Sequence, residues 1–156
     1  MFRELIRKKQ ELSADECRRI LTEEKRGVLS VIGDMGYPYG MPMNHFYDGD
    51  FIYFHSGNVG HRLDSLKQNN KASFCVYDEG YRDEGEWALN IKSVIVFGKI
   101  DIIDDMDTVT DITARLSRKF TDDEEYIRRE IEDHAHRTLL LRLTPEHISG
   151  KTVNEA

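Results

Sequence analysis

Phe54-His-Ser-Gly-Asn-Val-Gly-His-Arg-Leu-Asp-Ser-Leu66 is where one kind of periodicity hands over to another. The apolar run Phe51-Ile52-Tyr53-Phe54 enters as a strand and stops at the small polar residues His55, Ser56, Gly57 and Asn58. Gly60-His61-Arg62 then opens a helix, with Leu63 and Leu66 on one face, that ends near Asn69-Asn70. A strand leading through a loop into a helix N-terminus presents free backbone N–H groups and the positive end of the helix dipole. Such a terminus accepts an anion. A hydroxyl (Ser56), two imidazoles (His55 and His61) and a guanidinium (Arg62) beside it suit a terminal phosphate. The alternative is a plain strand-to-helix turn whose His61 and Arg62 face water.

Upstream, Ser13-Ala-Asp-Glu16 matches a capping box, in which Ser13 caps an amide and Glu16 reaches back. Cys17, Ile20 and Leu21 share one face, which predicts a helix from Ala14 to Lys25, ended by Gly27. Val28 to Ile32 alternates as a strand, and Gly33-Asp34-Met35-Gly36 is a turn with two residues that tolerate positive φ. Tyr37 to Tyr47 reads as a second strand interrupted by Pro38 and Pro42. Proline donates nothing to a ladder, so this strand belongs at an edge or a bulge. Asp48-Gly49 predicts a hairpin into Phe51–His55.

Downstream, Lys71 to Tyr77 is a fourth strand and Asp78 to Glu86 a charged loop. Leu89 to Ile103 is a long strand whose Val94-Ile-Val-Phe-Gly98 reads as buried on both faces. Ile112, Leu116 and Phe120 predict a helix from Met106 to Phe120, and a second capping-box match, Thr121-Asp-Asp-Glu124, opens another to His134. Thr138 to Leu143 alternates as the last strand, and the polar tail from Thr144 to Ala156 is expected to be loosely held. About six strands joined by short turns, with helices at the edges, predict a mainly β protein: a small antiparallel barrel rather than a doubly wound sheet.

The 156 residues suit a single domain, with residues 1–26 as an N-terminal helical segment. A net charge of −7 with both signs interspersed leaves no nucleic-acid footprint. No apolar run reaches the length of a membrane span, and the N-terminus has no signal-peptide pattern. Cys17 and Cys75 stand in no metal or redox spacing and read as small hydrophobes of a reducing cytoplasm, so a cytoplasmic protein is expected.

Gly57-x-x-Gly60 lacks the three-glycine spacing of a dinucleotide fingerprint, and no Walker loop is present. His55 and His61 would need a third ligand to hold a metal, and none is nearby, so no metal site is expected. His134 and His136 fit a solvated helix C-terminus, and no nucleophile elbow occurs. Tyr37, Tyr39, Tyr47, Tyr53, Phe54 and Trp87 suit strand packing as well as a pocket for a planar ring.

Four segments, in order, resemble the pyridoxamine 5′-phosphate oxidase-like FMN-binding split barrels, and within them the nitroimidazole-resistance (Nim-type) flavoproteins. They are Gly36-Tyr-Pro-Tyr-Gly-Met-Pro-Met-Asn44; Tyr47 to Ser56 running on to Gly60-His-Arg62; Lys92-Ser-Val-Ile-Val-Phe-Gly-Lys99; and Leu141-Arg-Leu143 with Ser149-Gly-Lys151. The resemblance implies a split β-barrel and a homodimer holding two FMN molecules at its interface. It places Pro42, Met43 and Asn44 along the isoalloxazine edge, and His55 and Ser56 near the ring and the ribityl-phosphate arm. His61 and Arg62 match the basic pair that holds the phosphate; many relatives carry Lys at the second position. Lys92, Ser93 and Val94 match the segment lining the flavin, with Trp87 covering it from the partner chain. In the Nim-type group the counterpart of His55 is the proposed active-site residue. The implied activity is reduction of nitroaromatic or other small electrophilic compounds. The alternative is a sensor or carrier that binds flavin or haem without turnover. No second basic cluster matches a pyridoxal-phosphate site, so oxidation of pyridoxamine phosphate is not expected.

Overall fold

In the computed structural model, which describes residues 1–156, the chain runs α1 (Ala14–Glu23), β1 (Arg26–Ile32), β2 (Pro38–Asn44), β3 (Phe46–Tyr47), β4 (Ile52–Gly57), α2 (His61–Gln68), β5 (Lys71–Tyr77), β6 (Asn90–Ile103), α3 (Met106–Ser117), α4 (Glu124–His134) and β7 (Thr138–Asn154). All seven strands join one antiparallel sheet in the order β2-β1-β5-β6-β7-β4-β3, which curls into a half-barrel. The prolines explain one boundary: Pro38 and Pro42 lie on β2, an edge strand. The Asp48-Gly49 hairpin joins β3 to β4 as its dipeptide predicts.

Alternation within the strands sorts side chains onto two faces. The concave face holds the main core, where Leu29, Phe54, Phe74, Val94, Val96 and Leu141 meet Ile20 and Leu21 of α1 and Leu63 and Leu66 of α2. Phe54 and Phe74 are fully buried and meet edge to face at 4.8 Å. Burial of each such side chain contributes about 1.5–3 kcal/mol. On the convex face, Val109 and Ile112 of α3 pack on Tyr53 and Leu140, forming a smaller second core.

Several expectations need correction. Seven strands form rather than six, because His45, pinned in the core, divides the predicted second strand into β2 and β3. Gly27 does not end α1, which stops at Glu23; it lies in β1, where a Cβ would strike the Cys75 carbonyl and the Phe74 ring. His55, Ser56 and Gly57 are strand residues of β4, not loop. In the β1–β2 turn the positive φ values fall on Met35 and Gly36, not on Gly33. At α1 only half of the capping box forms: the Glu16 amide donates to Ser13 Oγ, while the Glu16 carboxylate turns to Arg19 and Lys92. Asp123, not Thr121, caps α4, accepting from the Tyr126 amide.

The segment from Thr144 to Asn154 is not a loose tail. It pairs along β6, from Lys99↔Thr144 to Asn90↔Asn154, with a register shift at Phe97/Gly98 where Pro145 sits opposite Gly98. That irregularity and the polar outward residues hide the alternation. Nor is Val94–Phe97 buried on both faces: Val94 and Val96 are fully buried, but Ile95 and Phe97 are 37% and 40% exposed. Helices cover the convex face only near β4 and β7. Val28, Cys75 and Ile95 therefore form one uncovered cross-strand row; in the next, Ser30, Ser73 and Phe97, the Phe2 ring stacks on Phe97 at 5.5 Å.

The register shift makes Gly98 a point of contact, since a Cβ there would overlap the Thr144 carbonyl oxygen and press on Leu143. Gly98→Ala is expected to cost about 1–3 kcal/mol in urea unfolding. Gly57→Ala, where a Cβ meets nothing within 4 Å, is expected to stay within about 0.5 kcal/mol of the parent.

Candidate functional site

Arg62 reaches from the first turn of α2 to both ends of the curled sheet. Its Nη2 donates to Ser56 Oγ on β4 at 2.8 Å, and its Nη1 points at Met43 Sδ (3.1 Å) and Met41 Sδ (3.6 Å) on β2. Thioether sulfur is a weak acceptor. No carboxylate pairs with the guanidinium, and its Nε–H is buried without a partner. Burial pushes the Arg62 pKa below its ordinary value.

Around this group Pro42, Met43, Asn44, His55, Ser56, Gly57 and Arg62 line an open cavity of about 340 Å3. Six of these seven are residues singled out in the sequence. Gly57 was not, nor was Met41; the signal for Met41 was its two-residue spacing from Met43, which puts both sulfurs on one face of β2. Gly60, at φ 132°, starts α2 without a side-chain cap, so the first-turn amides carry no side-chain acceptor. Weak acceptors, an orphaned N–H and an uncapped helix start form a donor set that fits a phosphate.

The remaining predicted residues lie elsewhere. His61 is not a wall of this cavity: its ring stacks on Tyr39 at 4.3 Å, and its Nε2 stands 3.5 Å from Asp34 Oδ2. Lys92 donates to Glu16 Oε2 at 3.0 Å. Ser93 lies opposite Tyr77 and Lys151 on the other face of β6, and the Val94 side chain is sealed in the core. Trp87 is 73% exposed in the loop between β5 and β6, its carbonyl accepting from Arg82 Nε. No group of three or more His, Cys, Asp or Glu gathers as metal ligands, and no helix is long and apolar enough to cross a membrane.

Alternation along β4 sends Phe54 and Ser56 to the concave side and His55 to the convex side. Burial, and next the Arg62 charge, lower the His55 pKa, so its imidazole is neutral at neutral pH.

His45 fixes the end of β2. The Leu21 carbonyl can only accept, so His45 Nε2 carries the proton in their 2.7 Å bond, leaving the buried Nδ1 without a partner. Lys119 Nζ donates to the carbonyls of His45 (2.8 Å) and Glu24 (2.7 Å), tying the turn after α3 to the same point.

A family model described as pyridoxamine 5′-phosphate oxidase matches residues 13–152. The chain belongs to that family. Solved structures agree on its split-barrel fold. A candidate 5-nitroimidazole antibiotic resistance protein of Bacteroides thetaiotaomicron is 19% identical with a TM-score of 0.76, over 92% of this chain and 87% of its own. A conserved hypothetical protein of Mycobacterium tuberculosis is 16% identical with a TM-score of 0.81, over 95% and 90%. An FAD-binding protein of Mesorhizobium loti is 23% identical with a TM-score of 0.66, over 92% and 97%. No curated protein matches the sequence.

His45 predicts an acid limit for this family member. Burial, then the Lys119 charge, lower its pKa from the ordinary 6.5 to about 4. The unfolded chain therefore binds more protons between those values, and stability present at neutral pH is lost as pH falls from 6.5 toward 4. In urea melts across that window, the parent is expected to lose on the order of 3 kcal/mol more than His45→Gln, which keeps a donor for Leu21 but cannot titrate.

Proposed function

We propose that the protein binds FMN and is an oxidoreductase that reduces small electrophilic compounds, nitroaromatics among them. The observation that carries this reading is Arg62: a half-buried guanidinium with two sulfurs and one hydroxyl as partners, no carboxylate and an unsatisfied N–H. A dianionic phosphate supplies the acceptors these donors lack. Ser56 and the α2 amides complete the phosphate end, while Pro42, Met43 and Asn44 form an edge suited to a planar ring. A bound flavin supplies the electron transfer. The chain's own part is to orient that group and, through the neutral imidazole of His55, to offer a proton-transfer group beside it. Family membership supports the flavin, and the description of the Bacteroides protein supports the substrate class.

The reading includes a homodimer. Lys92, Ser93 and Trp87 lie away from the Arg62 cavity in one chain, so a shared site needs them from a partner. The uncovered row through Val28, Cys75 and Ile95 gives an apolar face for that partner. Ile95→Asp is expected to yield a monomer in sedimentation velocity with lowered FMN retention; an unchanged dimer that still retains FMN would remove this face as the interface.

The direct test is FMN retention after gel filtration, followed by reoxidation of the reduced protein by a panel of nitroaromatics. Arg62→Ala is expected to weaken FMN binding roughly 10- to 100-fold, the equivalent of one charge-assisted hydrogen bond, with Arg62→Lys intermediate. A parent protein that holds no FMN sinks the flavin reading. One that holds FMN without substrate-dependent reoxidation sinks only the reductase reading.

A further inference from the structure

On the convex side of β4, α3, α4 and the turn before β7 enclose a cavity of about 280 Å3. His55 is its shared wall with the Arg62 cavity. Side chains from α3 and α4 supply the rest of its chemistry. Ile127 is buried at the base and Ile131 half-buried beside it, with the Tyr126 ring at the rim. The Thr113 hydroxyl on α3 is buried and unpartnered, one turn from Ser117, whose own hydroxyl is committed to the Thr113 carbonyl.

The charge of the lining is one-sided. No lysine or arginine lines it, and Glu130 brings a carboxylate. Glu130 Oε2 lies 3.6 Å from His134 Nε2. Arginine can only donate, so the 2.6 Å contact of Arg137 Nη2 makes His134 Nδ1 an acceptor and leaves the proton on Nε2, toward Glu130. Glu130 is the one carboxylate among the lining side chains. A carboxylate without a lysine or arginine in the lining favours a neutral or cationic guest over an anion. The volume lies just below the roughly 300–1,000 Å3 usual for drug-sized ligands, which suits one ring or two small fused rings.

We propose that this cavity is a second ligand site, distinct from the flavin site, for a small uncharged or cationic aromatic nitrogen compound. Ile127 and Ile131 hold its ring, and Thr113 and Glu130 take its polar edge.

The test is an NMR titration of the flavin-free protein, so it stands apart from the FMN reading. Benzimidazole is the probe and benzoate its anionic counterpart. Benzimidazole is expected to give saturable shifts of the Ile127 and Ile131 methyl groups and the His55 ring, while benzoate gives none. Ile131→Trp, which fills the cavity, is expected to abolish binding, and Thr113→Val, which keeps side-chain shape, to weaken it about fivefold, the worth of one hydrogen bond. Absence of saturable shifts in the parent overturns the proposal, as does equal binding of benzoate or unchanged binding in Thr113→Val. Failure of FMN to bind leaves this outcome untouched.

Discussion

A guanidinium that bridges two thioethers and a hydroxyl is the contact on which the candidate site depends. Arg62 spans the gap between β2 and β4, strands on opposite sides of the sheet's central spine, and no backbone ladder closes that gap. The partners are poor for a cation: a charge taken partly out of water wants ionised or strongly polar acceptors. The same side chain therefore carries two duties that conflict. It links β2 to β4, and it holds donors in reserve. A bound anion resolves the conflict by matching the charge without pulling the side chain from its bridge to Ser56.

Much of this arrangement was legible in the sequence, for identifiable reasons. β5 runs from Lys71 to Tyr77 as its alternation predicts, because one face is core and the other open. The prolines of β2 announced an edge. Six residues named for the candidate site line one cavity: His55, Ser56 and Arg62 follow from the local strand-to-helix turn, while Pro42, Met43 and Asn44, on a strand far away in the sheet, came only from the family resemblance. What was not legible depended on which faces the layers cover. Val94–Phe97 reads as doubly buried, yet no helix crosses that part of the convex face. The last half of β7 looks like tail because its strand character comes from pairing with β6 rather than from its own side chains. His45 had no visible partner since that partner is a backbone carbonyl 24 positions away.

The two faces of β4 divide the chemistry more sharply than motif spacing suggests. His55 and Ser56 are adjacent in sequence, and a loop reading treats them as companions. As strand residues they look in opposite directions, Ser56 to the guanidinium and His55 to the α3–α4 side. A single residue of register separates the hydroxyl that meets the guanidinium from the imidazole that borders both cavities.

The placement of β7 also governs how the chain comes to be folded at all. It is made after every other strand, yet it sits between β6 and β4. Until it emerges from the ribosome, β2-β1-β5-β6 and the β4–β3 hairpin are two separate pieces, each with an open hydrogen-bonding edge and half a core. Its far end also fixes the beginning, since the Leu12 amide donates to the Gly150 carbonyl. Closure thus waits for contacts of long sequence separation, a topology associated with slow folding. Until β7 forms, the chain exposes two unpaired edges, an aggregation hazard that the finished sheet does not carry.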